Sequence, residues 1–179
     1  MERPRRWGSL GAAPVNPTYN ITAALAQKPQ LLILHHPAGN HPEAIANLSF
    51  TTLAGLKTFN IEQLALVQNI EALCRSASCE FLVMGSHPLL ASVFTQAETT
   101  AEINLARQDW NALLAATYPG RFVEYGSSIG DWVTGANANN VLVDGRHCNT
   151  TGLAFVEAAL EAKGFSAWSN RLTPLDIDP

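Results

Sequence analysis

The sequence predicts an α/β protein, a three-layer α/β/α sandwich around a mostly parallel sheet, and three observations predict it. Short runs of strand length recur at 31–34, 81–84 and 122–125, apolar but for Glu124, with a briefer one at 141–143. Stretches with helical spacing of apolar residues separate and follow them. Each apolar run breaks at its C-terminal end into a loop of turn-forming residues. Strands alternating with helices argue for parallel β-α-β units joined by right-handed crossovers. In open sheets of this kind ligands bind at the carboxyl ends of the strands, so residues just after the apolar runs are the first candidates for function.

Size and composition agree with one such domain. The chain has 179 residues, enough for a core without staples. The domain is expected over residues 1–165, with an irregular tail at 166–179 that has no periodicity. Apolar residues make up 47% and charged residues 15%, against about 25% charged in an average globular chain, which excludes disorder and coiled coil. The net charge of −4 argues against a nucleic-acid face. No apolar run approaches the roughly 20 residues of a membrane span. The basic stretch 1–6 is followed by no apolar core long enough for a signal peptide, which leaves both a secreted and a cytoplasmic location open. Acceptor patterns for glycosylation at Asn20, Asn47 and Asn149 are about as many as chance supplies and leave the compartment open too.

Taken in order, residues 20–28 read as a short helix with Asn20 as its N-cap, ended by Lys28-Pro29. The run 31–34 reads as a strand buried on both faces, broken by the loop at 37–40. Residues 60–76 have helical spacing opened by Asn60 as a cap. A second buried strand at 81–84 is ended by Gly85-Ser86-His87-Pro88, which reads as pocket wall. A long helix is expected over 97–117, with Trp110 in its core face and Pro119-Gly120 as its stop. The strand 122–125 precedes a short helical turn at 128–133, and 141–143 is extended. The last helix starts at Asn149 or Thr150 and runs to about Lys163, with Gly164 stopping it. Trp132 and Trp168 lie in irregular stretches, as pocket walls or as packing.

The three cysteines are too few for a disulfide scaffold. Cys74 and Cys79 are five apart, compatible with a local disulfide or with two free thiols, and Cys148 has no evident partner. No C-x₂-C pair and no H-x₃-H pair occurs, so no metal is expected. His35 and His36 are adjacent and would point to opposite faces of a strand.

The sharpest local feature is Asp144-Gly-Arg-His147, followed by Cys148, Asn149 and Gly152 at the head of the last helix. At neutral pH a histidine can take a proton from a hydroxyl nucleophile. An aspartate on its second ring nitrogen fixes the tautomer and stabilises the imidazolium. The blander alternative is a loop-capping aspartate beside a solvated histidine. With its context the segment resembles the SGNH hydrolases, the GDSL esterases and lipases, whose last motif is D-x-x-H-P-N-x-x-G. Asp144, His147, Asn149 and Gly152 match it, with Cys148 where proline is usual. Ala38-Gly39-Asn40-His41, after the first apolar run, is similar to the family's G-x-N-D, with Asn40 kept and Ala38 and His41 departing. Gly11, 29 residues before Asn40, falls where the family has a further glycine. The helix and strand over 107–123, with Arg107 and Asn111, also look like the family's penultimate pair. The resemblance spans roughly residues 8–164.

This resemblance implies a flavodoxin-like fold and an ester hydrolase without cofactor. His147 would be the base, oriented by Asp144, with Asn40 and the Gly11 N–H as the oxyanion hole. Its substrates would be small-molecule or glycan esters of acyl or acetyl groups. The family's nucleophile, a serine in G-D-S after the first strand, has no counterpart here. Ser9, in Gly8-Ser9-Leu10, is a candidate, but only basic and polar residues precede it where a strand should stand. Three explanations stand: a first strand and serine missing from the N-terminal side, which is favoured; a degenerate domain that binds ligands without turnover; or an unusual nucleophile such as Ser9 or Ser86. A nucleotide-binding α/β domain is a weaker fourth reading, since no G-x-G-x-x-G or P-loop follows a strand.

Overall fold

The structure, a computed structural model, describes residues 17–35, 53–90, 100–132, 141–145 and 147–164. Within them α1 (Pro17–Leu25), β1 (Leu31–His35), α2 (Leu53–Ser76), β2 (Glu80–Met84), α3 (Thr100–Thr117), β3 (Phe122–Val123), α4 (Gly126–Ile129) and α5 (Thr150–Ala162) follow one another. The three strands form a parallel sheet in the order β1-β2-β3. Leu31 pairs with Glu80 and His35 with Met84, while Val83 and Met84 pair with Phe122 and Val123. The α/β class expected from the alternation of runs and helices is therefore the observed one.

Side chains along β2 alternate between two apolar clusters, as the two-residue period of a strand requires. Phe81 and Val83 join Leu34 and Phe122 against Val67, Ile70 and Cys74 of α2 and Trp110 and Leu114 of α3. Leu82 and Met84 join Val123, Tyr125 and Ile129 with Val141 and Leu142, against which Val156, Ala159 and Leu160 of α5 pack. From Phe81 to Met84 the strand is buried throughout, as its unbroken apolar run predicts. β1 differs from expectation. Only Leu34 is buried, because β1 borders one strand, not two, among the described residues.

Several boundaries also shift, each for a local reason. α1 starts at Pro17, a residue favoured in the first helical turn, so Asn20 lies inside the helix and does not cap it. α2 begins seven residues before the expected cap. Asn60 is fully buried in its middle, with Nδ2 donating to the Ala106 carbonyl at 2.8 Å and to Asp109 Oδ2 at 3.2 Å. A polar residue read as a terminus is thus a clamp between α2 and α3. The segment 141–143 contributes only a single antiparallel bridge, Leu142 with Cys148, and no strand of the sheet. α5 matches closely, with Asn149 as N-cap and Gly164 in the left-handed region (φ 78°) after it.

Candidate active site

The Asp144–His147 loop is a tight reversal built by its own residues. The Val143 N–H donates to the His147 carbonyl at 2.8 Å, and the Asn149 N–H to the Val141 carbonyl at 2.9 Å. Gly145 turns the corner at φ 79°. One carboxylate then does two things. Asp144 Oδ1 accepts the backbone N–H of His147 at 2.8 Å, and Oδ2 sits 2.7 Å from His147 Nδ1. This places the proton of a neutral imidazole on Nδ1 and leaves Nε2 as the proton acceptor. The side chains of His147 and Asp144 are 72% and 53% exposed, so the pair faces solvent.

The other two motif residues support that loop. Asn149 Oδ1 accepts the Gly152 N–H at 3.0 Å, an N-cap that starts α5 directly after the histidine. Gly152 is buried, and a Cβ there would collide with the Val141 carbonyl and stand 2.9 Å from Cys148 Cβ. The spacing D-x-x-H-x-N-x-x-G therefore has a physical cause: a carboxylate-braced turn, a cap, and a glycine that lets the helix seat against the loop.

A second polar group lies beside it at the carboxyl ends of the strands, where the parallel topology predicts function. Tyr125, just past β3, brings its hydroxyl to 2.9 Å from His35 Nε2 and 3.1 Å from His87 Nδ1. Burial raises the Tyr125 pKa, so the phenol keeps its proton. With one proton it donates to one imidazole and accepts an N–H from the other, which couples the two tautomers. His35 keeps an open side, yet desolvation of its ring and then the charge of Arg107 lower its pKa, with a backbone hydrogen bond at Gly85 acting the other way. Cys148 packs on the apolar cluster that includes Tyr125, and the Leu90 N–H donates to the Gly145 carbonyl at 3.0 Å. The two groups thus meet through the 85–90 segment.

That segment is held by one face of α3. Asn104 bonds both the N–H and the carbonyl of Leu89 (2.9 and 3.1 Å), and Asn111 does the same for Ser86 (2.7 and 3.0 Å). Between them the Arg107 Nε donates to the His87 carbonyl at 2.6 Å. Ser86 and His87 are buried, at 1% and 7% exposure. Ser86 Oγ has no hydrogen-bond partner among the described residues. A cavity of about 430 Å³, open to solvent, lies against Gln108 and residues 127–132, with Trp132 in its wall.

Asp144 and His147 are thus brought together as the sequence indicated. Asn40, Gly11 and Ser9, with His36, His41 and Trp168, lie outside the described residues. Tyr125 was missed by sequence reasoning, which placed it inside the strand 122–125. Among the described residues no group of three or more His, Cys, Asp or Glu side chains is placed to hold a metal, and no helix is long and apolar enough to cross a membrane. The class defined by fold and site is an α/β protein with an aspartate-braced histidine at the head of its last helix. No family model, curated protein or solved structure matches the chain.

Proposed function

We propose that the domain is of the SGNH serine ester hydrolase type, acting on carboxylic esters, with the family's G-D-S nucleophile block absent from this chain. The observation that carries this reading is the 2.7 Å contact between Asp144 Oδ2 and His147 Nδ1. It sits in a solvent-facing loop at the start of α5, with Asn149 capping the helix and Gly152 letting the helix seat against the loop. Helices against both faces of a parallel sheet support the α/β/α sandwich of that family. In the mechanism His147 Nε2 takes the proton of a serine hydroxyl as it attacks the ester carbonyl. The proton then passes to the departing alcohol, and a water repeats the cycle on the acyl-enzyme. Asp144 holds the ring and stabilises the imidazolium. Asn40 and the Gly11 N–H are the proposed oxyanion donors, each of a kind worth about 2.7–4 kcal/mol.

A fluorophosphonate probe tests the reading and finds the nucleophile together. A wild-type chain with an activated serine is labelled, peptide mapping places the label, and His147→Ala loses it. Ser9 is the candidate in the chain. Equal labelling of the variant overturns the role of His147. A second reading is favoured by one observation, the absence of G-D-S. It is a non-catalytic binder of acyl or glycan ligands on the same scaffold. It expects no labelling, and heat on titration with such ligands.

A further inference from the structure

The end of α2 brings two cysteines together by a backbone device. Ser78 sits in the left-handed region at φ 54°. Its N–H donates to the Arg75 carbonyl at 3.1 Å, and the next residue, Cys79, donates its N–H to the Cys74 carbonyl at 2.9 Å. These are the nested pair of bonds of a Schellman motif, which sets the side chain one residue beyond the turn against the one in the last helical turn. The two paired positions are Cys79 and Cys74. Both are buried in the cluster that holds Phe81 and Val83 of β2, at 6% and 0% exposure. Cys79 Sγ donates to the Glu80 carbonyl at 3.3 Å, and burial pushes the Cys74 thiol up to about 12.

We propose that Cys74 and Cys79 are a thiol–disulfide site, closed by a disulfide oxidant of the glutathione class into a bond between the end of α2 and the start of β2. A 6→1 turn holds its end residues within the few ångströms that a disulfide spans. In the reaction Cys79, the more accessible of the two, loses its proton and attacks one sulfur of oxidised glutathione. The first glutathione thiolate leaves. Cys74 then loses its proton and attacks the Cys79 sulfur of the mixed disulfide, which frees the second. Two protein thiols become one disulfide, and one oxidised glutathione becomes two reduced ones, which carry away both protons. Cys148 lies in a separate cluster, packed beside Tyr125, and takes no part.

The test uses the full chain equilibrated in glutathione redox buffers, with and without denaturant, then alkylated and digested with trypsin. Cleavage after Arg75 separates the two cysteines, so their bond appears as two linked peptides. The expected result is a Cys74–Cys79 linkage with Cys148 alkylated. Its effective concentration should be at least tenfold higher in the folded chain than in denaturant, because the turn supplies the geometry. Equal values in the two conditions overturn the proposal, as do stable glutathione adducts on either cysteine or a linkage to Cys148. Ser78→Pro, which cannot adopt the left-handed turn or donate its N–H, should remove the folded-state advantage. If that variant unfolds, the wild-type comparison decides alone.

Discussion

His147 depends on a neighbour three residues away that bonds it twice, once at the ring and once at the backbone. Asp144→Asn removes the charge and presents an amide where the carboxylate was. Ester turnover should fall by orders of magnitude while the denaturation midpoint barely moves, since the pair is solvent-facing. Gly152 predicts the opposite pattern. Gly152→Ala places a methyl against the Val141 carbonyl and should cost about 1–3 kcal/mol in chemical denaturation. His35 gives a pH signature. Its folded pKa is below the ordinary 6.5, so the unfolded chain takes up a proton first. Its contribution to stability is complete above that value and lost as pH falls through it towards the lowered folded pKa. As pH falls below 6.5 the wild type should therefore lose stability that His35→Gln keeps, as read by urea midpoints at each pH.

At the scale of elements, α3 acts as a second backbone partner for the segment after β2. Asn104, Arg107 and Asn111 lie on one helix face and bond the segment from Ser86 to Leu89. Asn111→Ala leaves the N–H and carbonyl of Ser86 unpaired in a buried place. It should cost about 1–3 kcal/mol for each group left unsatisfied, measured by thermal or urea unfolding. This explains what the sequence could and could not tell. Apolar periodicity located β2, α3 and α5, because burial of one face or both leaves a period in the residues. The Asn149 cap and the left-handed Gly164 were legible because capping chemistry is local. Asn60 was misread because a buried asparagine bonding another helix has the same letter as a cap. Tyr125 was invisible as a functional residue because its partners, His35 and His87, are 90 and 38 positions away.

For the whole molecule, β2 is the axis. It is the central strand of the described sheet and contributes side chains to both apolar clusters. Leu82, fully buried, should cost about 2–5 kcal/mol when replaced by alanine, and the amides of β2 should exchange most slowly with solvent. The sheet sets His35, the 85–90 segment and Tyr125 at one edge, and the Asp144–His147 loop is tied to that edge through Leu90 and Gly145. A hydrolase reading needs that arrangement, because base, oxyanion donors and nucleophile must converge from separate parts of the chain. The most direct measurement is nitrophenol release from a short-chain nitrophenyl ester by the wild-type chain and by His147→Ala. If His147 is the base of a serine hydrolase, the wild type releases nitrophenol above the buffer rate and the variant falls to it. Equal release by both proteins above the buffer rate would contradict that role, and none from the wild type is the result of the non-catalytic reading.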